Sequence, residues 1–67
     1  MEFSKNLKRL RENAEITQVE LADKADISQS AIASFEAGTK IPSVAILIRL
    51  ADVFKCTVDE LLGRRVS

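Results

Sequence analysis

Phe3, Leu7, Leu10 and Ala14 recur at helical spacing, with Lys5, Lys8, Arg9 and Glu12 on the other faces. That three-to-four-residue period predicts an amphipathic helix over about residues 3–14. Thr17-Gln18-Val19-Glu20 has the form of a capping box, in which hydroxyl and carboxylate each bond the other residue's amide. It opens a second helix reaching about Lys24 and burying Leu21, Ala22 and Ala25. After the tight turn Asp26-Ile27, Ser28 is the N-cap of a third helix whose inward side is Ile32 and Phe35. Gly38 supplies the left-handed residue just past its end. Thr39 to Pro42 reads as loop, and Ser43 caps a fourth helix, Val44 to Phe54, apolar almost all round except for Arg49 and Asp52. Such a helix is expected to be buried on more than one side. Thr57-Val58-Asp59-Glu60 repeats the capping-box pattern and opens a short fifth helix ending at Gly63. No strand-like alternation and no internal repeat interrupts the pattern. The fold expected is all-α: five short helices in a single domain, residues 1–67, with a helix-turn-helix unit at about 17–36.

Composition narrows the chemistry. The 67 residues leave no room for a second domain, and an apolar share of 46% is too high for a disordered tail. One cysteine and no histidine exclude disulfide frameworks, Cys/His zinc sites and histidine-based triads. No Gly-rich phosphate loop, metal cluster or cofactor motif is present, so an enzyme is excluded and no cofactor is expected. The longest apolar run, Val44 to Ile48, is far short of a membrane span, and the charged start is unlike a signal peptide. A lone thiol fits a reducing interior, so a cytoplasmic location is expected. Without staples, so small a chain needs tight helix packing or a dimer.

Helices 2 and 3 form a helix-turn-helix unit, and the sequence around it is more specific than the geometry. Thr17-Gln18-x-x-Leu21-Ala22, Ala25-Asp26-Ile27-Ser28, Ile32-x-x-Phe35-Glu36-x-Gly38 and Pro42-Ser43 resemble the lambda-repressor-like, Cro-type helix-turn-helix family. Leu50-Ala51 and Val58-Asp59-Glu60-Leu61-Leu62 are similar to that family's last two helices, so the resemblance covers about residues 3–63. It implies a transcriptional regulator that binds double-stranded DNA as a homodimer on paired half-sites, with helix 3 in the major groove. One position departs from the family pattern: Asp26 stands where the turn usually has glycine. Asp is among the non-glycine residues that best tolerate the left-handed region, so the turn survives at small strain.

On this resemblance Gln29, Ser30, Ala33 and Ser34 form the base-reading face. Gln29 is the strongest, because an amide pairs bidentately with adenine N6 and N7. The two serines specify less, and Ala33 offers only a methyl to a thymine methyl. Gln18, Ser28, Thr39, Lys40 and Ser43 are the expected phosphate contacts, at helix starts or in the loop after helix 3. The plainer readings are a solvated glutamine, a capping serine and a solvated loop lysine. Arg11 and Glu36 are expected to pair across helices 1 and 3 as a structural element. Arg64 and Arg65 read as solubilising a frayed end rather than touching DNA. Val53, Phe54, Cys56, Val58 and Leu61, around the junction of helices 4 and 5, are the expected two-fold dimer interface, since helix 4 has more apolar surface than one small core uses. Cys56 itself is expected to be a small buried hydrophobe.

Charge cuts against strong DNA binding. Residues 16–38 carry Lys24 against Glu20, Asp23, Asp26 and Glu36, a net charge of −3, and helix 3 has no Lys or Arg. Basic stripes are the usual footprint of nucleic-acid binding. The alternative reading is therefore a protein-interaction module on the same scaffold, docking a partner regulator.

Overall fold

The computed structural model describes residues 2–63, which form five α-helices and no strand: α1 (Glu2–Asn13), α2 (Gln18–Ala25), α3 (Gln29–Ala37), α4 (Val44–Phe54) and α5 (Val58–Leu61). Each start is chemically specified. Thr17 accepts from the Glu20 amide at 3.1 Å while the Glu20 carboxylate accepts from the Thr17 amide at 2.9 Å. Thr57 and Glu60 repeat the device at α5. Ser28 and Ser43 cap α3 and α4 through their hydroxyls. Helix ends are set by left-handed residues, which release the chain from the helical path. These are Asp26 (φ 57°) after α2, Gly38 (φ 79°) after α3 and Lys55 (φ 53°) after α4. Glu15 (φ 59°) does the same just beyond α1.

The helices close around one core. α3 packs on α1 and α2, α4 on α2 and α5, and α5 returns to α1. Phe3 and Leu7 of α1, Leu21, Ala22 and Ala25 of α2, Ile32 and Phe35 of α3, Leu50 and Ala51 of α4 and Leu61 of α5 are buried together. Phe3 and Phe35 meet edge to face with ring centroids 6.3 Å apart, the arrangement ring quadrupoles favour. Two polar residues join the interior, Ser4 and Asn6.

Three sequence expectations need correction. α1 stops at Asn13, and Ala14 is exposed in the turn rather than on the buried face. α5 ends at Leu61, with Leu62 as its C-cap, and does not reach Gly63. α4 is buried along one stripe only: Leu50 and Ala51 are buried, whereas Val44 (72% exposed) and Ile48 face outward. Its surplus apolar surface thus lies near its start, beside the exposed Ile41 of the preceding loop.

Candidate nucleic-acid interface

The turn between α2 and α3 brings the first residues of both helices side by side. Gln29 Nε2 donates to Gln18 Oε1 at 2.9 Å, so these two amides share one surface. Gln18 Nε2 donates in turn to Glu36 Oε1 at 3.2 Å. Glu36 is held from the far side by Arg11, whose Nε reaches Oε2 at 2.7 Å and whose Nη2 reaches Oε1 at 3.1 Å. Arg11 also donates to the Ile16 carbonyl at 2.9 Å, fixing the α1–α2 turn. The Arg11 and Glu36 side chains are 13% and 4% exposed, and the hydrogen bond to Glu36, against a desolvation penalty, raises the Arg11 pKa further above its ordinary value. The ion pair expected from the sequence therefore forms, as one end of a chain that runs Arg11–Glu36–Gln18–Gln29.

Around that chain, Ser30 is exposed and Ala33 and Ser34 are half-exposed on the outer side of α3, opposite the buried Ile32 and Phe35. The four residues expected to read bases thus lie on helix positions clear of the core. Helix starts are furnished for anions as well. The backbone N–H groups of the first helical turn lack intrahelical partners. At α2 the cap takes up the Glu20 amide, and the amides of Gln18 and Val19 have no acceptor among the described residues. The Ser28 and Ser43 hydroxyls accept from Ala31 and Ile46, which leaves each hydroxyl proton available to an outside acceptor. Thr39 differs: its hydroxyl donates to the Ser34 carbonyl at 3.2 Å, closing the end of α3, so its proton is already committed. Lys40 is exposed in the loop.

The expected dimer surface is partly overturned. Leu61 is 0% exposed and belongs to the core, so it cannot meet a second chain. Val53, Phe54, Cys56 and Val58 are half-buried and lean on the same core. Burial first, and the nearby Glu60 second, push the Cys56 thiol up, which opposes formation of a reactive thiolate. The sequence reading missed Ile41, Val44 and Ile48, the first two of them 75% and 72% exposed. Their spacing within an all-round apolar segment gave no sign of which side stays open. Arg49 was also missed: its Nη1 donates to the Asp26 carbonyl at 3.4 Å and braces the left-handed turn from α4. Arg64 and Arg65 lie outside the described residues.

Among the described residues no group of His, Cys, Asp and Glu is arranged to hold a metal ion, and no helix is long and apolar enough to cross a membrane. The helix-turn-helix family model matches residues 7–61. The chain is 37% identical over 63 residues to the transcriptional activator BcrR of Enterococcus faecalis, covering 94% of this chain and 31% of that protein. It is 31% identical over 64 residues to the cryptic phage CTXphi transcriptional repressor RstR of Vibrio cholerae, covering 96% of this chain and 57% of that one. Its length is thus about a third to somewhat over half that of these curated relatives. A transcriptional regulator from Listeria innocua superposes with a TM-score of 0.86 at 29% identity, covering 97% of this chain and 61% of that one. The P22 c2 repressor, solved with a synthetic operator, superposes with a TM-score of 0.90 at 23% identity over 97% and 98% of the two chains, a likeness of fold. With the ordered motif, the five-helix architecture and the family match over most of its length, the chain belongs to the lambda-repressor-like, Cro-type helix-turn-helix family of transcriptional regulators.

Proposed function

We propose that the protein is a sequence-specific DNA-binding regulator that reads operator half-sites as a homodimer, with α3 in the major groove. The observation that carries this reading is the amide pair at the start of the unit. Gln29 uses one Nε2 hydrogen on Gln18, which leaves a second N–H and an acceptor oxygen. That set matches adenine, whose major-groove edge offers N7 as acceptor and N6–H as donor. Gln18 uses one Nε2 hydrogen on Glu36 and keeps another, beside the free amides of the α2 start, for a phosphate. Ser30, Ala33 and Ser34 flank Gln29 on the groove side, with Ser28, Lys40 and Ser43 as further phosphate partners. Thr39 contributes less, because its hydroxyl proton is held by Ser34. The P22 c2 repressor was solved on an operator and RstR is a repressor, which supports the DNA reading over a purely protein-docking one.

Dimerisation is assigned to the half-buried group Val53, Phe54, Cys56 and Val58, at the α4–α5 junction. The test is selection of bound duplexes from a random-sequence library at low salt, with Gln29→Ala alongside. The expected result is a palindromic site with half-sites roughly 34–36 Å apart, and in the variant a loss of preference at one base pair of each half-site. Absence of any enriched sequence would refute the reading and favour a protein partner.

A further inference from the structure

We infer that Glu36 is a specificity-determining positioning residue: through Gln18 it fixes which end of the Gln29 amide faces which way, and so decides that this position reads adenine. The inference rests on the base-reading role proposed above for Gln29. An ionised carboxylate only accepts hydrogen bonds, whereas a glutamine amide has one end that donates and one that accepts. Arg11 holds the Glu36 carboxylate with two hydrogen bonds. Gln18 must therefore turn its NH2 to Glu36, as it does at 3.2 Å, and its oxygen is left facing α3. Gln29 must then turn its own NH2 to that oxygen, as it does at 2.9 Å. Reversing either amide would set oxygen against oxygen. Two residues in a row, Gln18 and Gln29, thus inherit their polarity from a carboxylate that is nearly out of solvent, at 4% exposure.

The consequence lies in the groove. With Gln18 at a phosphate, the NH2 end of Gln29 lies on the backbone side and its oxygen toward the groove centre. Adenine presents N7 on its backbone side and the N6 donor toward the centre, so both hydrogen bonds form. Guanine O6 and thymine O4 are acceptors at the central position and meet the Gln29 oxygen. Thymine O4 would be served only by the reversed amide, which the chain from Glu36 forbids; guanine, with acceptors at both N7 and O6, sets one of them against the Gln29 oxygen in either orientation. Glu36 touches no base and acts only through this relay.

The test compares operators carrying adenine, guanine, thymine or cytosine at the Gln29 position, bound by the wild-type protein, Glu36→Gln and Gln18→Met. Glu36→Gln introduces a group that can turn either a donor or an acceptor to Gln18, which permits the reversed relay. The adenine-over-thymine affinity ratio should fall by about two- to tenfold, the worth of one regained hydrogen bond, while the adenine-over-guanine ratio moves less, because a reversed amide only exchanges guanine N7 for O6. The fall should come mainly from tighter relative binding to thymine operators. Gln18→Met leaves the ion pair intact and frees Gln29, so it should narrow the adenine-over-thymine ratio in a protein whose fold is unthreatened. A merely structural Glu36 would weaken all four operators alike and leave the ratios unchanged; unchanged ratios in both variants overturn the inference. Side-chain amide NMR of the free protein supplies a readout without DNA. Glu36→Gln should shift the NH2 resonances of both Gln18 and Gln29, and an unmoved Gln29 resonance overturns the relay directly. A wild-type protein with no preference at any base pair, together with shifted resonances, instead refutes Gln29 as a base reader, and the specificity role of Glu36 with it.

Discussion

Replacing Arg11 with methionine tests the largest single electrostatic commitment in the fold. The change removes three hydrogen bonds: two to Glu36 and one to the Ile16 carbonyl. It leaves a carboxylate at 4% exposure with Gln18 as its remaining side-chain donor. Breaking a buried pair from one side costs about 3–5 kcal/mol, because the surviving charge stays in the protein. The 13% exposure of Arg11 and the retained Gln18 bond place this case near the lower end, about 3 kcal/mol. Domains of this size have a total stability of only about 3–10 kcal/mol at 0.05–0.15 kcal/mol per residue. The expected loss is therefore a large fraction of the whole, and at about 4–8 °C per kcal/mol it lowers Tm by roughly 12–24 °C. Thermal and urea denaturation followed by far-UV circular dichroism measure it. The double variant Arg11→Met/Glu36→Met should recover most of the loss, since a matched apolar pair has no stranded charge. A loss under about 1 kcal/mol in Arg11→Met would mean that the pair behaves as a surface one. A double variant less stable than either single one would refute the stranded-charge account altogether.

The remaining predictions use other features of the chain. Lys55 is held left-handed at φ 53°, so Lys55→Gly should raise the urea midpoint by an amount equal to about 0.5–1 kcal/mol, strain relieved less the added chain entropy. Asp26→Gly should gain less, because Asp tolerates that region better; a lowered midpoint for Lys55→Gly would contradict the strain. The Glu20 carboxyl is held below its ordinary value, chiefly by the Thr17 amide and then by the Thr17 hydroxyl. A depressed folded-state pKa gives stability that is present at neutral pH and lost as pH falls through that pKa. Glu20→Gln should therefore flatten the acid limb of the stability curve below about pH 5, and an unchanged limb would remove the capping box from that account. Operator affinity should show a salt slope shallower than about −4 for a dimer, as expected for one or two cationic contacts per protomer at about −0.9 per phosphate neutralised; a much steeper slope would demand cations that the acidic unit does not carry.

The fold was legible because its signals are local. Capping boxes at Thr17 and Thr57, serine caps at Ser28 and Ser43 and the glycine at Gly38 all depend on neighbours a few residues away, and all hold. The inward Ile32 and Phe35 followed from helical period alone. Glu15 and Lys55, both left-handed, were not legible, since neither residue type advertises that conformation as Gly or Asp does. The open side of α4 was illegible for a different reason. When nearly every position is apolar, periodicity cannot say which stripe meets the core, and only packing against α2 and α5 leaves Val44 and Ile48 outside while taking Leu61 in. The site shows the same division. Gln18, Gln29, Glu36 and Arg11 were each singled out, yet the hydrogen bonds that join them cross 25, 18 and 11 positions of sequence and exist only once three helices have met.

That chain also bears on how an acidic unit can serve a polyanion. Of its four acidic residues, Glu36 is neutralised by Arg11, which leaves Glu20, hydrogen-bonded to the Thr17 amide, with Asp23 and Asp26 as the exposed negative charges of α2 and its turn. Asp26 sits at the far end of α2 from Gln18, roughly 12 Å away at 1.5 Å per residue, beyond a Debye length at physiological salt, though only two positions before Ser28 at the start of α3. With Arg11 pairing Glu36, the formal −3 of residues 16–38 falls to −2 once that partner is counted. The groups that the two helix starts offer a phosphate are uncharged: free backbone amides, two glutamine amides and serine hydroxyls. Such groups attract phosphate only at contact distance and in the right orientation, because dipoles, unlike net charges, have little reach. A surface built this way gains little from non-specific sliding and much from correct docking. Its affinity depends on the geometry of a few hydrogen bonds, which is why the polarity of one buried carboxylate can govern it.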